Sequence, residues 1–198
     1  MWIKVCGMDP SLRHWGIAFG NYNTETSKLT ITDIRVVNPV LPTKGKANKQ
    51  NSLDIESSKQ LFQVAANYAM QAHIVFAEVP IGSQSSRAMC SYGVCVGILG
   101  AINAAHRKII EVTPRQVKEA SVGHSEASKE EMIAWAVDKH PEANWPRHTV
   151  KGVSIVTAFK AEHAADAVAT MYAGFKTPAF KQFLERLNDG NQTDTPRC

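Results

Sequence analysis

The chain has 198 residues, 44% hydrophobic and 20% charged, with a formal net charge of +4. That length suits a single domain with a sizeable core, and the composition is that of a globular protein, not of a disordered or collagen-like one. No apolar run approaches membrane-spanning length, Met1-Trp2-Ile3-Lys4 lacks a signal-peptide apolar region, and the slight basic excess allows a polyanionic partner without demanding one.

The first strand is predicted near Ile3 to Met8. Asp9 stands at its mouth, followed by the turn Pro10-Ser11. A second strand follows near Gly16 to Tyr22 and a third over about Lys28 to Val37; short connections make the three an antiparallel meander. Pro39 to Ser52 is rich in Pro, Gly, Lys and Asn and reads as a mobile loop carrying Lys44, Lys46 and Lys49. Ser52 or Asp54 is predicted to cap a helix that runs to about Ala72. His73 to Glu78 is a short apolar strand that ends in an acid and is broken by Pro80.

A long helix is expected from Ser85 to His106. Its Gly93, Gly97 and Gly100 predict a face that another backbone approaches closely or that lies near a dimer two-fold. Lys108 to Val112 is a further strand. Thr113-Pro114 opens a helix with Pro at its first position, ending near Gly123. Ser128 and Glu131 form a capping box for a helix to His140. Pro141 to Thr157 is a polar excursion, Ala161 to Gly174 a patterned helix, and Asn188 to Cys198 a polar, flexible tail. Residues 1–187 are thus predicted as one domain. The order β-β-β-α-β-α-β-α-α-α fits an α/β fold, a mixed sheet with helices on both faces. The last two strands run parallel to the first through right-handed crossovers. Four cysteines show no CxxC pair and no zinc spacing. Three of them, Cys6, Cys90 and Cys95, sit in apolar surroundings and are expected as core residues in a reducing, cytoplasmic setting.

Asp9 and Glu78 both end apolar strands. If those strands are parallel neighbours, the two carboxylates share the sheet edge where open α/β sheets bind ligands. His163 and Asp166 share one face of the last patterned helix, amid alanines that let it sit tight on the sheet. Three carboxylates and an imidazole suit Mg²⁺ or Mn²⁺. Two such ions, roughly 3.5–4 Å apart, can hold the attacking and leaving oxygens of a phosphodiester displacement.

In order and spacing, Gly7-Met8-Asp9-Pro10-Ser11, Val75-Phe76-Ala77-Glu78-Val79-Pro80, Arg115-Gln116-Val117-Lys118 with Ala127-Ser128-Lys129, and His163-Ala164-Ala165-Asp166 form four blocks. Together they resemble the RuvC-type Holliday-junction resolvases, of the RNase H-like superfamily. The resemblance implies a five-stranded mixed sheet and a homodimeric endonuclease that resolves four-way junctions and other branched DNA. It implies Asp9, Glu78, His163 and Asp166 as catalytic residues and ligands of two Mg²⁺ or Mn²⁺ ions. It implies Lys118 and Lys129 as phosphate contacts, with Arg115, Arg13, Ile81 and Ser83 as further DNA-binding residues.

The chain departs from the family in three places. Ser11 stands where glycine is usual, which predicts a differently shaped turn. Ile81 stands where an aromatic probes the junction, so it is expected as an apolar wedge. The stretch Asp138 to Lys160 is longer than in cellular members, and its Trp145, Arg147, His148 and Lys151 offer either DNA contacts or a plain surface insertion. These departures point to a phage-type member acting in a bacterial or infected host cell. Two other readings stay open: a nuclease of this fold for another substrate, such as an RNA–DNA hybrid, and a non-catalytic branched-DNA-binding protein.

Overall fold

Three apolar runs with short connections fold as β1 (Trp2–Asp9), β2 (Trp15–Asn23) and β3 (Leu29–Val37), an antiparallel meander. The structure is a computed structural model that describes residues 1–46, 48–105, 108–150 and 152–192. Helix α1 (Gln50–Gln71) leads to β4 (Ile74–Glu78), and α2 (Ser86–Ala105) to β5 (Ile109–Val112). Both of these strands are parallel to β1, giving the sheet order β3-β2-β1-β4-β5. Helices α3 (Pro114–Ser121) and α4 (Lys129–Lys139) follow, then the hairpin β6 (Arg147–Val150) and β7 (Val153–Val156), then α5 (Ala158–Phe175) and α6 (Pro178–Gln192).

The alternation of side chains along each strand decides which face each helix covers. On β4, Ile74 and Phe76 face the core shared with α5 and α6, while Val75 and Ala77 face the core shared with α1 and α2. Strands covered on both sides read as continuous apolar runs, and β4 is buried from Ile74 to Ala77. The predicted five-stranded mixed sheet with helices on both faces is therefore the observed one. Helices α3 and α4 begin with reciprocal caps. Thr113 pairs with Gln116, and Ser128 with Glu131, so orphan N–H groups at each start are satisfied.

Several expectations are corrected. Helix α1 begins at Gln50, with Lys49 at its cap, rather than at Ser52 or Asp54. The Asp54 carboxylate instead accepts a two-pronged bond from Arg87 (2.6 and 2.7 Å), which ties the start of α2 to α1. Gly93, Gly97 and Gly100 do not seat a neighbouring element: a Cβ on any of them would meet nothing within 4 Å. Helix α2 buries Cys95, Ile98, Leu99 and Ile102 and turns its glycines outward. With them it exposes Cys90, which is not the core residue expected. The predicted His106 end of this helix lies outside the described residues.

Helix α2 also overturns the expectation that no segment reaches membrane-spanning size: within its 20 residues an 18-residue stretch has a mean hydropathy of 1.6 and is only 22% buried. Length and apolarity alone do not make it a membrane span, because its inner side chains are part of the domain core. The polar excursion contains a hairpin, and Trp145 within it is buried, its Nε1 donating to the His140 carbonyl at 2.8 Å. Trp145 is thus no stacking surface for DNA. Beside it, Glu142 and Asn144 accept from the N–H groups of Ile31 and Ile34, so this excursion caps the β3 edge. Lys151 lies outside the described residues. The chain from Asn188 continues α6 to Gln192, and the rest of the predicted tail, 193–198, is likewise outside them.

Candidate active site

Strands β1 and β4 are parallel neighbours in a register that pairs Met8 with Ala77. Asp9 and Glu78 are the next residues of each, so their carboxylates leave the same sheet edge side by side. Asp9 is held by its antiparallel pairing with Gly16 of β2. Helix α5 lies across these strands at a distance only glycine allows. A Cβ on Gly16 would fall 2.0 Å from the His163 carbonyl oxygen, and one on Gly7 2.1 Å from that of Ala167. Buried Ala164, Ala165, Ala167 and Val168 complete the contact. This close seat brings His163 Nδ1 to 2.6 Å from Asp9 Oδ2. With its proton on Nδ1, the imidazole donates to Asp9 and keeps Nε2 for a ligand or a proton.

The electrostatics are those of acids crowded away from water. Burial, and then repulsion by Asp9 and Asp166, raises the Glu78 carboxyl from 4.5 to about 8, against the pull of Lys118. Burial, and then Asp9, raises Asp166 from 3.8 to about 7, opposed by His163 and Lys118. Burial disfavours the charged form of His163, but its bond to Asp9 and the field of the nearby acids outweigh that and raise it. These groups titrate as a coupled set. Among the described residues, no three of His, Cys, Asp and Glu are drawn into a finished metal cage. The donor set nevertheless fits a hard divalent cation: carboxylate oxygens and one imidazole, with repulsion that a cation would relieve.

The predicted lysines reach the site by different routes. Lys118, on α3, acts on both Glu78 and Asp166. Lys129, at the start of α4, is ion-paired with Glu162 of α5 at 2.6 Å. Arg115 is not brought to the cluster: its guanidinium is 2.7 Å from Glu119 one turn along α3 and largely exposed. Arg13 lies beside Ser11, Ser85 and Arg87 in a cleft at the foot of α2. Ile81 is 84% exposed, followed by Gly82 at φ 131° and by Ser83, whose Oγ accepts from Ser85 N. Ser11 needs no special backbone, since no residue of its turn has a positive φ and buried Leu12 anchors it. Two site residues were missed by sequence reasoning. His14 stacks on His163 with ring centroids 5.5 Å apart and bonds Asn38, and Glu162 holds Lys129. Their only signal was position, in the turn after Asp9 and next to His163.

A stability prediction follows from the raised carboxyls. A folded-state pKa above the unfolded one gives stability that is complete below the unfolded pKa and lost as pH rises through the folded one. For Glu78 and Asp166 that loss runs from about pH 4 to about pH 8. Mg²⁺ is therefore expected to raise the melting temperature more at pH 8 than at pH 5, and Glu78→Gln to shrink that difference. Melting curves across this range with and without Mg²⁺ check it; an equal shift at both pH values would count against a cation among these acids.

A five-stranded mixed sheet ordered β3-β2-β1-β4-β5 with helices on both faces is an RNase H-like α/β fold. Thermus thermophilus RuvC in complex with Holliday junction substrate superposes with a TM-score of 0.61 at 19% identity, over 86% of this chain and 92% of that one. A second Thermus thermophilus RuvC structure gives 0.60 and 18%, over 87% and 95%. No protein-family model and no curated protein matches the sequence, so the likeness is one of three-dimensional fold.

Proposed function

We propose that this chain is a divalent-metal-dependent endonuclease that resolves four-way junctions and other branched DNA. The observation that carries the reading is the convergence of Asp9, Glu78, His163 and Asp166 on one sheet edge, with Lys118 acting on two of the acids and Lys129 paired to Glu162 beside them. The fold neighbour bound to Holliday junction substrate supports the choice of substrate.

In this reading Asp9, Glu78 and Asp166 hold two Mg²⁺ or Mn²⁺ ions. Bound there, the ions would supply Lewis-acid stabilisation of the phosphate and lower the pKa of the attacking water. His163, oriented by Asp9, takes up a proton at Nε2 as the water oxygen bonds to phosphorus and the bond to the leaving sugar oxygen breaks. Lys118 and Lys129 hold flanking phosphates as point charges. Exposed Ile81 stands ready to enter an opened base step. Cutting two opposed strands calls for paired sites, and the outward face of α2, with Met89, Gly93, Val96 and Gly97 exposed, supports a two-fold homodimer.

A labelled four-way junction incubated with the protein tests this. Paired incisions are expected with Mg²⁺ or Mn²⁺ and none in EDTA. Cleavage of an RNA–DNA hybrid in preference to the junction, or binding without cleavage under either ion, would sink the proposal.

A further inference from the structure

Among the described residues, Glu162 is an acid beside the cluster that the proposed chemistry leaves without a task. It precedes His163 on α5, its side chain is 21% exposed, and its Oε1 lies 2.6 Å from Lys129 Nζ. The Lys129 side chain is 70% exposed, so solvent is open to the ammonium on its other sides. Glu162 also adds its charge to the field at His163 and Asp166. A carboxylate on a surface that receives phosphates works against binding, because it repels the polyanion and occupies the cation meant for it.

We infer that Glu162 is a positioning residue that competes with DNA phosphate for Lys129. Its carboxylate holds the ammonium beside the site and releases it to an arriving phosphate. The inference rests on the nuclease reading above. When the phosphate takes Lys129, the carboxylate is left unpaired next to that phosphate. The exchange therefore adds little net attraction, and the wild-type protein gains less from Lys129 than a free lysine would give. The pair aligns Lys129 before DNA arrives and keeps the basic surface from gripping any duplex it meets. Glu162→Gln keeps the shape of the side chain and removes its charge, so the fold is retained.

Binding of a labelled four-way junction, followed by anisotropy in EDTA over a range of salt, gives the test. Glu162→Gln is expected to bind up to about fivefold more tightly, the scale of an exposed ion pair. Its plot of log affinity against log salt should steepen by about one unit, the slope of one further phosphate contact. The double variant Glu162→Gln with Lys129→Met should match Lys129→Met alone. Unchanged affinity and slope in Glu162→Gln would overturn the inference while leaving the nuclease reading intact. A gain that persists in the Lys129→Met background would overturn it too, since it would mean through-space repulsion without competition. Loss of cleavage with unaltered binding would overturn it by making Glu162 a metal-holding group. Failure of the unmodified protein to bind the junction would overturn both readings.

Discussion

Asp9→Asn is expected to bind a four-way junction and to leave it uncut, with cleavage reduced more than about 100-fold, beyond the range typical of residues that only support a metal ligand. Asp9 is the hub of the cluster. Its charge acts on both Glu78 and Asp166 more strongly than any other, and it holds His163 through a 2.6 Å bond. Asparagine keeps the size and one oxygen but loses the charge that would hold a cation and that orients the His163 imidazole. Removing that charge also relieves the repulsion on Glu78 and Asp166, so the variant is expected to be no less stable than the parent in EDTA. A gel-shift assay beside a single-turnover cleavage assay separates binding from chemistry. Full-rate cleavage by Asp9→Asn would remove this residue from the site.

The second large effect lies one strand away and touches no reacting atom. Gly16→Ala places a methyl group 2.0 Å from the His163 carbonyl oxygen, a distance that backbone atoms cannot accept. Helix α5 has to move off the sheet or β2 has to bend. Overpacking of this kind costs about 1–3 kcal/mol and occasionally more. The displacement also carries His163 and Asp166 away from Asp9, and a shift of about 1 Å in a reacting constellation can cost on the order of 100-fold in rate. The expected result is a protein that melts earlier and cuts at least tenfold more slowly at temperatures where it is still folded. Gly45→Ala is the control: nothing lies within 4 Å of its Cβ, and little change is expected. Normal cleavage by Gly16→Ala would mean that the close seat of α5 does not position His163.

Much of the architecture was legible because its signals are local. Three apolar runs with short connections can only form a meander, and strands reached through helices return parallel to the first. The helix start at Ser128 is written in residues three apart, which the backbone brings together wherever the helix forms. Asp9 and Glu78 end apolar runs, so their shared edge followed as soon as those runs were paired as parallel neighbours. The start of α1 was misplaced because Ser52 and Asp54 have capping chemistry, while the Asp54 carboxylate is claimed by Arg87 from another helix. The hairpin β6–β7 was not read because strands of four residues are too short to show a period, and helix α6 was passed over although Thr177-Pro178 opens it with a cap and a proline.

What the sequence determined by itself was the order of the five sheet strands and of the helices up to α5, and the placing of four chemistry-bearing residues at strand ends and on one helix face. Those features depend on spacing along the chain, which no later packing can alter. Only the tertiary structure decided which glycines are needed for close approach. A Cβ on Gly7 or Gly16 would meet backbone at 2.1 or 2.0 Å, while the more conspicuous Gly93, Gly97 and Gly100 face outward. It also decided that Trp145 is core, that Arg115 is turned toward Glu119, and that Lys129 is held by Glu162. The reason is that burial and ion pairing are properties of surfaces brought together from distant parts of the chain. A residue type states what a side chain can do, and only its neighbours in space determine which of those things it does.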